Sequence, residues 1–332
     1  MSASACYKNE PIGSISSLAR QLDVDQKTLI DIAHNSARYW RPGKTIIVPN
    51  KDPRKTNNAL NPLKSIHSKI KTRILDHVRF PAYVMGGIAS DEFNKRDYVC
   101  HAEVHAGKNI LISEDIKSFY PNTTTRTVND IWQGFFHFHP EVAKTLTLLT
   151  THKGALPQGW IPSTHLANLA LWRHEPSMVQ TLDSLGFVYT RFVDDMTASS
   201  QEKAHNEKKT EVISNLIGLM RRCGFQPKRS KHSLASAGGC MKVVNLNVDR
   251  KIPSISKSER SRTRSLVHKC EIYSPTARNC QEYIQLWNKA SGRVSNLKRL
   301  HPKEAKMFRA RLSSISPQRP KKKKVKTTQL PV

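Results

Sequence analysis

No run of apolar residues in this chain of 332 residues approaches the roughly 20 that a membrane-spanning helix needs. No secretory signal peptide opens the sequence. The cysteines are few and contain no C-x-x-C pair; they are Cys6, Cys100, Cys223, Cys240, Cys270 and Cys280. These absences argue against a membrane protein, a disulfide framework and a zinc site built on paired cysteines. They predict reduced thiols in a cytoplasm.

Acidic residues are also scarce, with 26 Asp and Glu against 54 Lys and Arg and a formal net charge of +28. The imbalance is uneven along the chain. From Lys251 to the C-terminus, 21 Lys and Arg accompany only four acidic residues, which are Glu259, Glu271, Glu282 and Glu304. A polyphosphate partner such as nucleic acid is the usual reason for this excess. An anionic membrane surface would attract the same charge, but the sequence offers no apolar segment to insert.

Two of the few acidic residues, Asp194 and Asp195, are adjacent in the segment YTRFVDDMTAS, Tyr189 to Ser199. Apolar and β-prone residues flank them, which predicts two short strands joined by an acidic turn. Two like charges side by side are unfavourable unless a cation neutralises them. Carboxylate oxygens suit Mg²⁺, which also binds substrate phosphates. The alternative is a solvated β-turn, where Asp is common.

A third carboxylate, Asp115, ends a predicted strand in KNILISEDIKSFYP, residues 108–121. Together with the acidic turn it fits a two-metal site, in which two ions hold the attacking and leaving oxygens of a phosphoryl displacement. The alternative is that Asp115 caps a following helix. Between the two acidic segments, Leu156 to Leu171 predicts a Gly- and Pro-containing loop followed by a helix.

These segments, in this order, resemble the palm of reverse transcriptases, and among them the bacterial retron type. DIKSFY (115–120) resembles the first catalytic motif, and LPQGWIPSTHLANL (156–169) resembles the template–primer loop and helix. YTRFVDD (189–195) resembles the YxDD box in its retron form. Further upstream, RKTNNALNPLKSIH (54–67) resembles the fingers segment, although Thr56, Ala59 and His67 depart from its pattern.

The resemblance implies an α+β right-hand polymerase with fingers, a palm of antiparallel sheet plus helices, and a helical thumb. We expect a helical extension at residues 1–43, fingers and palm at 44–248, a thumb at 249–316 and a disordered basic tail at 317–332. It also implies that Asp115 and Asp194 bind two Mg²⁺ ions, or Mn²⁺ in their place, with help from the Ile116 carbonyl. Asp195 would support that site.

The resemblance further implies which residues contact the incoming dNTP. These are Lys51, Arg54, Tyr120, Gln158, Gly159 and Lys231. Tyr120 matches the aromatic residue that excludes a ribose 2′-hydroxyl, and Gly159 would permit close backbone approach. The alternatives are a solvated charge for Lys51 or Arg54, core packing for Tyr120 and a fastening of the strand by Lys231. Trp160 is larger than the usual residue, and its role is left open.

Two motifs that mark retron enzymes are altered. The N-A-x-x-H motif reads HAEVH from His101 to His105, and V-T-G reads Val243-Val244-Asn245. In retron enzymes these elements contact the partner RNA, so His101, His105 and Asn245 are expected to bind RNA. Arg293, Lys298 and Arg299 are expected to bind it as well, because the basic thumb segment is predicted to hold the RNA. The two histidines, spaced by four residues, also fit metal ligands on one helix face. Without a third ligand nearby, RNA contact or core packing is favoured.

The predicted function is reverse transcription of a dedicated structured non-coding RNA into a branched RNA–DNA product, with a role in anti-phage defence. The expected partners are that RNA, the DNA product, dNTPs, an effector protein and a host ribonuclease H, in a bacterial cytoplasm and without a membrane. A non-retron defence enzyme or a group II intron-like relative is the alternative. A second alternative is a non-catalytic RNA-binding protein on a polymerase scaffold. The cluster of acidic residues argues against it.

Overall fold

A computed structural model describes residues 4–47 and 53–317. Lys51 and nearly all of the predicted basic tail, residues 318–332, lie outside the described residues. Across the described ranges, every helix is too short or too polar to cross a membrane.

The strands form small antiparallel sheets. In chain order they are β1 (Cys6–Tyr7), β2 (Trp40–Ile46), β3 (Arg54–Ala59), β4 (Val78–Arg79), β5 (Ile110–Asp115), β6 (Val188–Phe192), β7 (Asp195–Ser200), β8 (Ser233–Ser236), β9 (Lys242–Val243), β10 (Leu246–Asn247) and β11 (Ser254–Ile255). The largest sheet has the order β6-β7-β5-β8 and corresponds to the predicted palm.

The helices lie before, between and after these strands. They are α1 (Ile15–Leu22), α2 (Gln26–His34), α3 (Leu63–Arg73), α4 (Tyr98–His105), α5 (Phe119–Asn122), α6 (Thr125–Asp130), α7 (Pro140–Thr150), α8 (Ser163–Leu169), α9 (Glu175–Ser184), α10 (Asn206–Arg222), α11 (Lys257–Ala277), α12 (Gln281–Leu297) and α13 (Pro302–Ser314). Strand β2 begins at Trp40, so strand residues already occur inside the segment 1–43 predicted to be helical.

One large apolar core lies beneath the four-stranded sheet. Helix α10 contributes Val212, Leu216, Leu219 and Met220, all fully buried, at the helical spacing that places them on one face. The sheet contributes Ile110 and Ile112 from β5, and Met196 and Ala198 from β7, to the same cluster. The sheet is therefore fixed from below, and the end that carries the carboxylates is held by its backbone pairing.

The predicted thumb, α11 to α13, has an apolar core of its own. Its buried residues are Val267, Cys270, Tyr283, Ala290, Val294, Leu297, Ala305, Phe308 and Leu312. A small third cluster joins α4 to β9 and β10, and Ile255 and Leu300 pack against it. The thumb therefore meets the remainder of the described chain through a narrow contact rather than through a shared interior.

Candidate active site

The acidic turn forms as the sequence predicts, because β6 ends at Phe192 and β7 starts at Asp195. Val193 adopts a φ of 62°, in the left-handed region, which lets the chain reverse within two residues. On the neighbouring strand, Asp115 pairs with Asp195, and the Ile116 N–H donates to the Asp194 carbonyl at 2.9 Å. The structure thus brings Asp115, Asp194 and Asp195 together at one end of the sheet.

The structure argues against both alternatives for these aspartates. Asp194 and Asp195 are half-buried, not part of a fully solvated turn. Asp115 ends strand β5 and leaves capping to other residues, since the N-cap of α5 is Ser118.

Electrostatics at this end of the sheet disfavour three bare carboxylates. Burial raises the pKa of Asp195 to about 7, and the charges of Asp115 and Asp194 add to the rise. Burial also raises the pKa of Asp115, while the ammonium of Lys231 opposes the rise. Each ionised carboxylate makes the others harder to ionise, so the cluster is stabilised by any cation that enters it.

Lys231 already lies in this cluster, where its Nζ contacts the Asp115 carboxylate. Backbone pairing brings it there: the Lys117 N–H donates to the Gln226 carbonyl at 2.9 Å, and the Lys228 N–H donates to the Asp115 carbonyl at 2.7 Å. Lys231 follows one short turn later. The ammonium therefore supplies a counter-charge for Asp115 in the structure.

The donors at this site fit a hard divalent cation, because they are carboxylate oxygens with raised affinity for positive charge. Among the residues that the structure describes, however, no three His, Cys, Asp or Glu side chains are arranged as a ready metal site. Lys231 occupies one position on Asp115 where a cation would bind. The chemistry of these carboxylates supports a metal site. That the three of them bind the same metal ions stays a prediction.

Two of the residues predicted to contact dNTP lie near the acidic turn. The Tyr120 hydroxyl lies 3.1 Å from Thr164 Oγ1, and the side chain is half-buried. Burial raises the pKa of Tyr120; the charge of Asp194 adds to the rise, and the charge of Arg54 opposes it. Arg54 is exposed at the start of β3. Tyr120 packs, partly buried, against the large apolar core, so the core-packing alternative stays open for it.

The loop before α8 packs against the fingers hairpin β2–β3. The Asn57 N–H donates to the Gln158 carbonyl at 2.8 Å. Gly159 has a φ of 106°, and a Cβ added there would lie 2.8 Å from the Asn57 carbonyl oxygen. A glycine is therefore required by the approach of two backbones. The loop and hairpin line a cavity of about 390 Å³ that also receives the cationic Arg41 and Lys64.

Trp160 is buried and also lines the cavity between the loop and the hairpin. Its ring lies 4.7 Å from that of His67, and the His67 ring hydrogen-bonds with the Leu149 carbonyl at 2.6 Å. His67 is one of the residues that depart from the fingers pattern, so two unusual residues pack against each other. The bulk of Trp160 fills the interior here.

The expectation that His101 and His105 contact RNA is wrong for the side chains, because both are fully buried. Thr190 Oγ1 lies 2.8 Å from His101 Nδ1 and 2.6 Å from His105 Nε2, and His105 Nδ1 lies 2.7 Å from Ser199 Oγ. Burial lowers the pKa of His101 to about 4 and lowers the pKa of His105 further below its usual value. The two neutral rings fasten α4 to the sheet, which is the core-packing alternative.

The other residues predicted to bind RNA lie on the surface. Asn245 is exposed at a turn with a φ of 68°, and Lys298 is exposed just after α12. Arg293 pairs with Glu259 at 2.6 Å inside the thumb. Arg299 pairs with Asp97 at 2.6 Å and with Glu103 at 3.1 Å, so it joins the thumb to α4. Arg299 is thus engaged by carboxylates in this structure.

The sequence predicted a basic thumb, but it did not predict which residues line the groove between α11 and α12. The groove has a volume of about 380 Å³ and is lined by Arg262, Lys269, Lys289 and Arg293, with Ser261, Ser265 and Leu266. The excess of basic residues after Lys251 was the available signal, but it did not show which of them share a face. Arg191, in the middle of the motif YTRFVDD, was also missed, and it is fully buried.

An antiparallel sheet with three carboxylates at one end, a fingers hairpin against the adjoining loop and a basic helical bundle together define a right-hand polymerase. Curated relatives specify the class further. The chain is 32% identical over 315 residues to the Retron Se72 reverse transcriptase of Salmonella heidelberg (strain 579083-10), covering 94% of this chain and 82% of the relative. It is 26% identical to the Retron Ec48 reverse transcriptase of Escherichia coli, covering 93% and 78%.

The chain therefore belongs to the retron reverse transcriptases and is an RNA-directed DNA polymerase. The predicted family, its α+β polymerase fold and its enzyme class are confirmed. A scan against protein-family models finds no match. Among solved structures, a telomerase from Candida albicans in complex with a TWJ fragment of telomeric RNA has a TM-score of 0.45, is 11% identical and covers 93% of this chain and 64% of its own. That score is too low to support a conclusion.

Proposed function

We propose that this enzyme copies a dedicated structured non-coding RNA into DNA and leaves a branched RNA–DNA product. The observation that carries the proposal is the placement of Asp115, Asp194 and Asp195 at one sheet end, within a chain that belongs to the retron enzymes. Such a cluster has no use in a protein that only binds RNA, because it would repel the phosphates.

In this proposal the 3′-hydroxyl of the growing DNA attacks the α-phosphate of a dNTP, and pyrophosphate leaves. Two Mg²⁺ ions, or Mn²⁺, held by Asp115, Asp194, Asp195 and the Ile116 carbonyl would lower the pKa of that hydroxyl and neutralise the triphosphate. Arg54 grips the triphosphate, since its planar guanidinium can meet two phosphate oxygens. Lys51 is expected to act beside it.

The remaining dNTP contacts are assigned from the resemblance to the family motifs. The Tyr120 ring occupies the space beside the sugar, where it excludes a 2′-hydroxyl. The loop of Gln158 and Gly159 would face the nascent base pair, while the absence of a side chain at Gly159 lets this loop approach the Asn57 backbone. Lys231, whose Nζ contacts Asp115 in the structure, would neutralise the departing pyrophosphate.

We assign the binding of the structured RNA to the thumb. The groove between α11 and α12 presents Arg262, Lys269 and Lys289 to solvent, as phosphate contacts require. Lys298 and Asn245, the last residue of the altered VVN element, are both exposed and are further candidates for RNA contact. The further partners in this proposal are the DNA product, a host ribonuclease H that removes template RNA and an effector protein of anti-phage defence, all in a bacterial cytoplasm.

The proposal is tested by sequencing the nucleic acid that co-purifies with the protein expressed together with its neighbouring genomic sequence. We expect one abundant RNA joined to DNA, with the DNA complementary to part of that RNA. The control is the Asp194→Asn protein, which should carry the RNA without DNA. A heterogeneous mixture of cellular RNA would contradict a dedicated template, and unbranched DNA would favour a non-retron mode of priming.

Replacing Tyr120 with Val should admit ribonucleotides, because removal of the ring opens space for the 2′-hydroxyl. We expect the preference for dNTP over rNTP to fall roughly 10- to 100-fold, the range that steric differences in a pocket produce. The measurement compares kcat/KM for dGTP and GTP on the same primer and template. Tyr120→Phe keeps the ring and should keep the preference; equal ratios in all three proteins would show that Tyr120 only fills the core.

A further inference from the structure

Arg191 lies in strand β6 and is fully buried, and all five N–H groups of its guanidinium are hydrogen-bonded. Nε and Nη2 donate to the two oxygens of Glu175 at 2.6 and 2.9 Å. Nη2 also donates to the Asn168 carbonyl at 3.0 Å, and Nη1 donates to Asn168 Oδ1 at 2.9 Å. The fifth bond runs from Nη1 to the Val193 carbonyl at 2.9 Å. A guanidinium has five donors, so none is left over.

The fifth bond matters because Val193 immediately precedes Asp194. Val193 is β-branched and has a φ of 62°, a conformation that such residues seldom adopt and that surrounding contacts must hold. Arg191 holds the Val193 carbonyl from one side, and the Ile116 N–H holds the Asp194 carbonyl from the other at 2.9 Å. The strained turn is therefore fixed on both sides by groups outside it.

The same guanidinium connects the turn to the template–primer helix. Asn168 lies on α8, and its Nδ2 donates to the Gly86 carbonyl at 2.9 Å. A Cβ added at Gly86 would lie 2.8 Å from the ring of Phe192, so this loop packs directly against the end of β6. Helix α8, the Gly86 loop and the turn thus share one buried polar cluster centred on Arg191.

We propose that Arg191 is a positioning residue of the polymerase, which fixes the Asp194 turn relative to Asp115 and couples that turn to α8. This inference rests on the proposed role of Asp194 and deepens it. Glu175 balances the buried charge, which would otherwise be costly to bury. Lysine at position 191 would keep the charge but could not make five bonds in one plane.

The variant Arg191→Lys tests the proposal, with Tyr189→Phe as the matched control. The Tyr189 hydroxyl donates to Glu175 Oε1 at 2.8 Å, so the control disturbs the same buried carboxylate without touching the turn. Three quantities are measured: the melting temperature, amide hydrogen exchange of the peptide spanning Val193 to Met196 in metal-free protein, and the single-turnover rate of dNTP incorporation. RNA affinity is measured alongside.

For Arg191→Lys we expect at least tenfold faster exchange in the turn and a rate about 10²-fold lower, the loss that a displacement of about 1 Å can cause. RNA affinity should be unchanged. Tyr189→Phe should lower the melting temperature and leave both the turn exchange and the rate near the wild-type values. Equal effects of the two variants, or wild-type exchange and rate in Arg191→Lys, would overturn the proposal.

A second variant and a metal-free measurement allow the proposal to be tested even if Arg191→Lys does not fold. If Arg191→Lys does not fold, Asn168→Ala removes one acceptor of the guanidinium together with the bond to the Gly86 carbonyl, and leaves the ion pair with Glu175. Faster exchange in the turn would then support the coupling to α8, and wild-type exchange would overturn it. Because exchange is measured without metal, dNTP or RNA, it does not depend on activity. Absence of DNA synthesis by the wild-type protein would overturn the proposed function, whereas normal synthesis by Arg191→Lys would overturn this inference alone.

Discussion

Replacing Asp194 with Asn is expected to abolish DNA synthesis while the protein stays folded and binds RNA. The substitution keeps the shape of the side chain but removes one of three clustered charges. A metal ion contributes several kcal/mol to a phosphoryl transfer, so weakening its site should slow the reaction by about 10³-fold or more. The measurement is primer extension on an RNA template over a range of Mg²⁺ concentrations.

The fold should tolerate this change because the charge of Asp194 raises the pKa values of Asp115 and Asp195. Removing that charge relieves repulsion, and the melting temperature should not fall. Asp183→Asn, at an exposed position of α9, is the matched control and should extend primers normally. Normal extension by Asp194→Asn would show that the acidic turn is not the catalytic centre.

Neutralising the thumb groove should produce the second large effect, a loss of RNA affinity. We expect Arg262, Lys269 and Lys289, changed together to Gln, to lower affinity roughly 10²-fold near physiological salt. With three fewer phosphate contacts, binding releases fewer counterions. The slope of log K against log[salt] should therefore become shallower by about 2 to 3. Binding is measured with the co-purified RNA at several salt concentrations.

The matched control for the groove removes the same number of charges elsewhere. Lys203, Arg221 and Arg222 are exposed in and just before α10, and their joint change to Gln should leave the slope nearly unchanged. A length-matched scrambled RNA separates charge from recognition of shape, because loops and unpaired bases carry RNA specificity. Equal slopes for the two triple variants would place the RNA-binding surface outside the groove.

The carboxylate cluster could be predicted from the sequence because each of its parts is local. Asp194 and Asp195 are adjacent, and strand ends can be recognised from alternating apolar residues around Asp115. Pairing of the two strands then brings the three together in register. The Gly159 turn is local in the same sense, since only one residue must adopt a positive φ.

Burial of polar residues could not be predicted in this way. The spacing of His101 and His105 places them on one helix face but does not say whether that face meets RNA or the sheet. Their partners Thr190 and Ser199 are 85 to 94 residues away from His105. Arg191 looked like an ordinary polar residue in a strand, because Glu175 and Asn168, which satisfy it, lie on separate helices.

The structure also explains residues that depart from the family pattern, through contacts that the sequence does not show. His67 and Trp160 each look anomalous in the sequence, yet their rings pack together. Arg299 looked like a free cation in a basic segment, but Asp97, which neutralises it, is 202 residues away. In each case the deciding contact joins distant segments, which local patterns do not encode.

The apolar core of the predicted thumb is separate from the core beneath the four-stranded sheet. Ile255, Leu300 and the ion pairs of Arg299 provide the link between them, whereas Phe308 and its neighbours pack only within the thumb. Units with few shared contacts open independently, at a lower free energy than global unfolding. We therefore expect the predicted thumb to open locally while the carboxylate cluster stays assembled. If the thumb binds the RNA as proposed, the template can be released without refolding of the proposed catalytic centre.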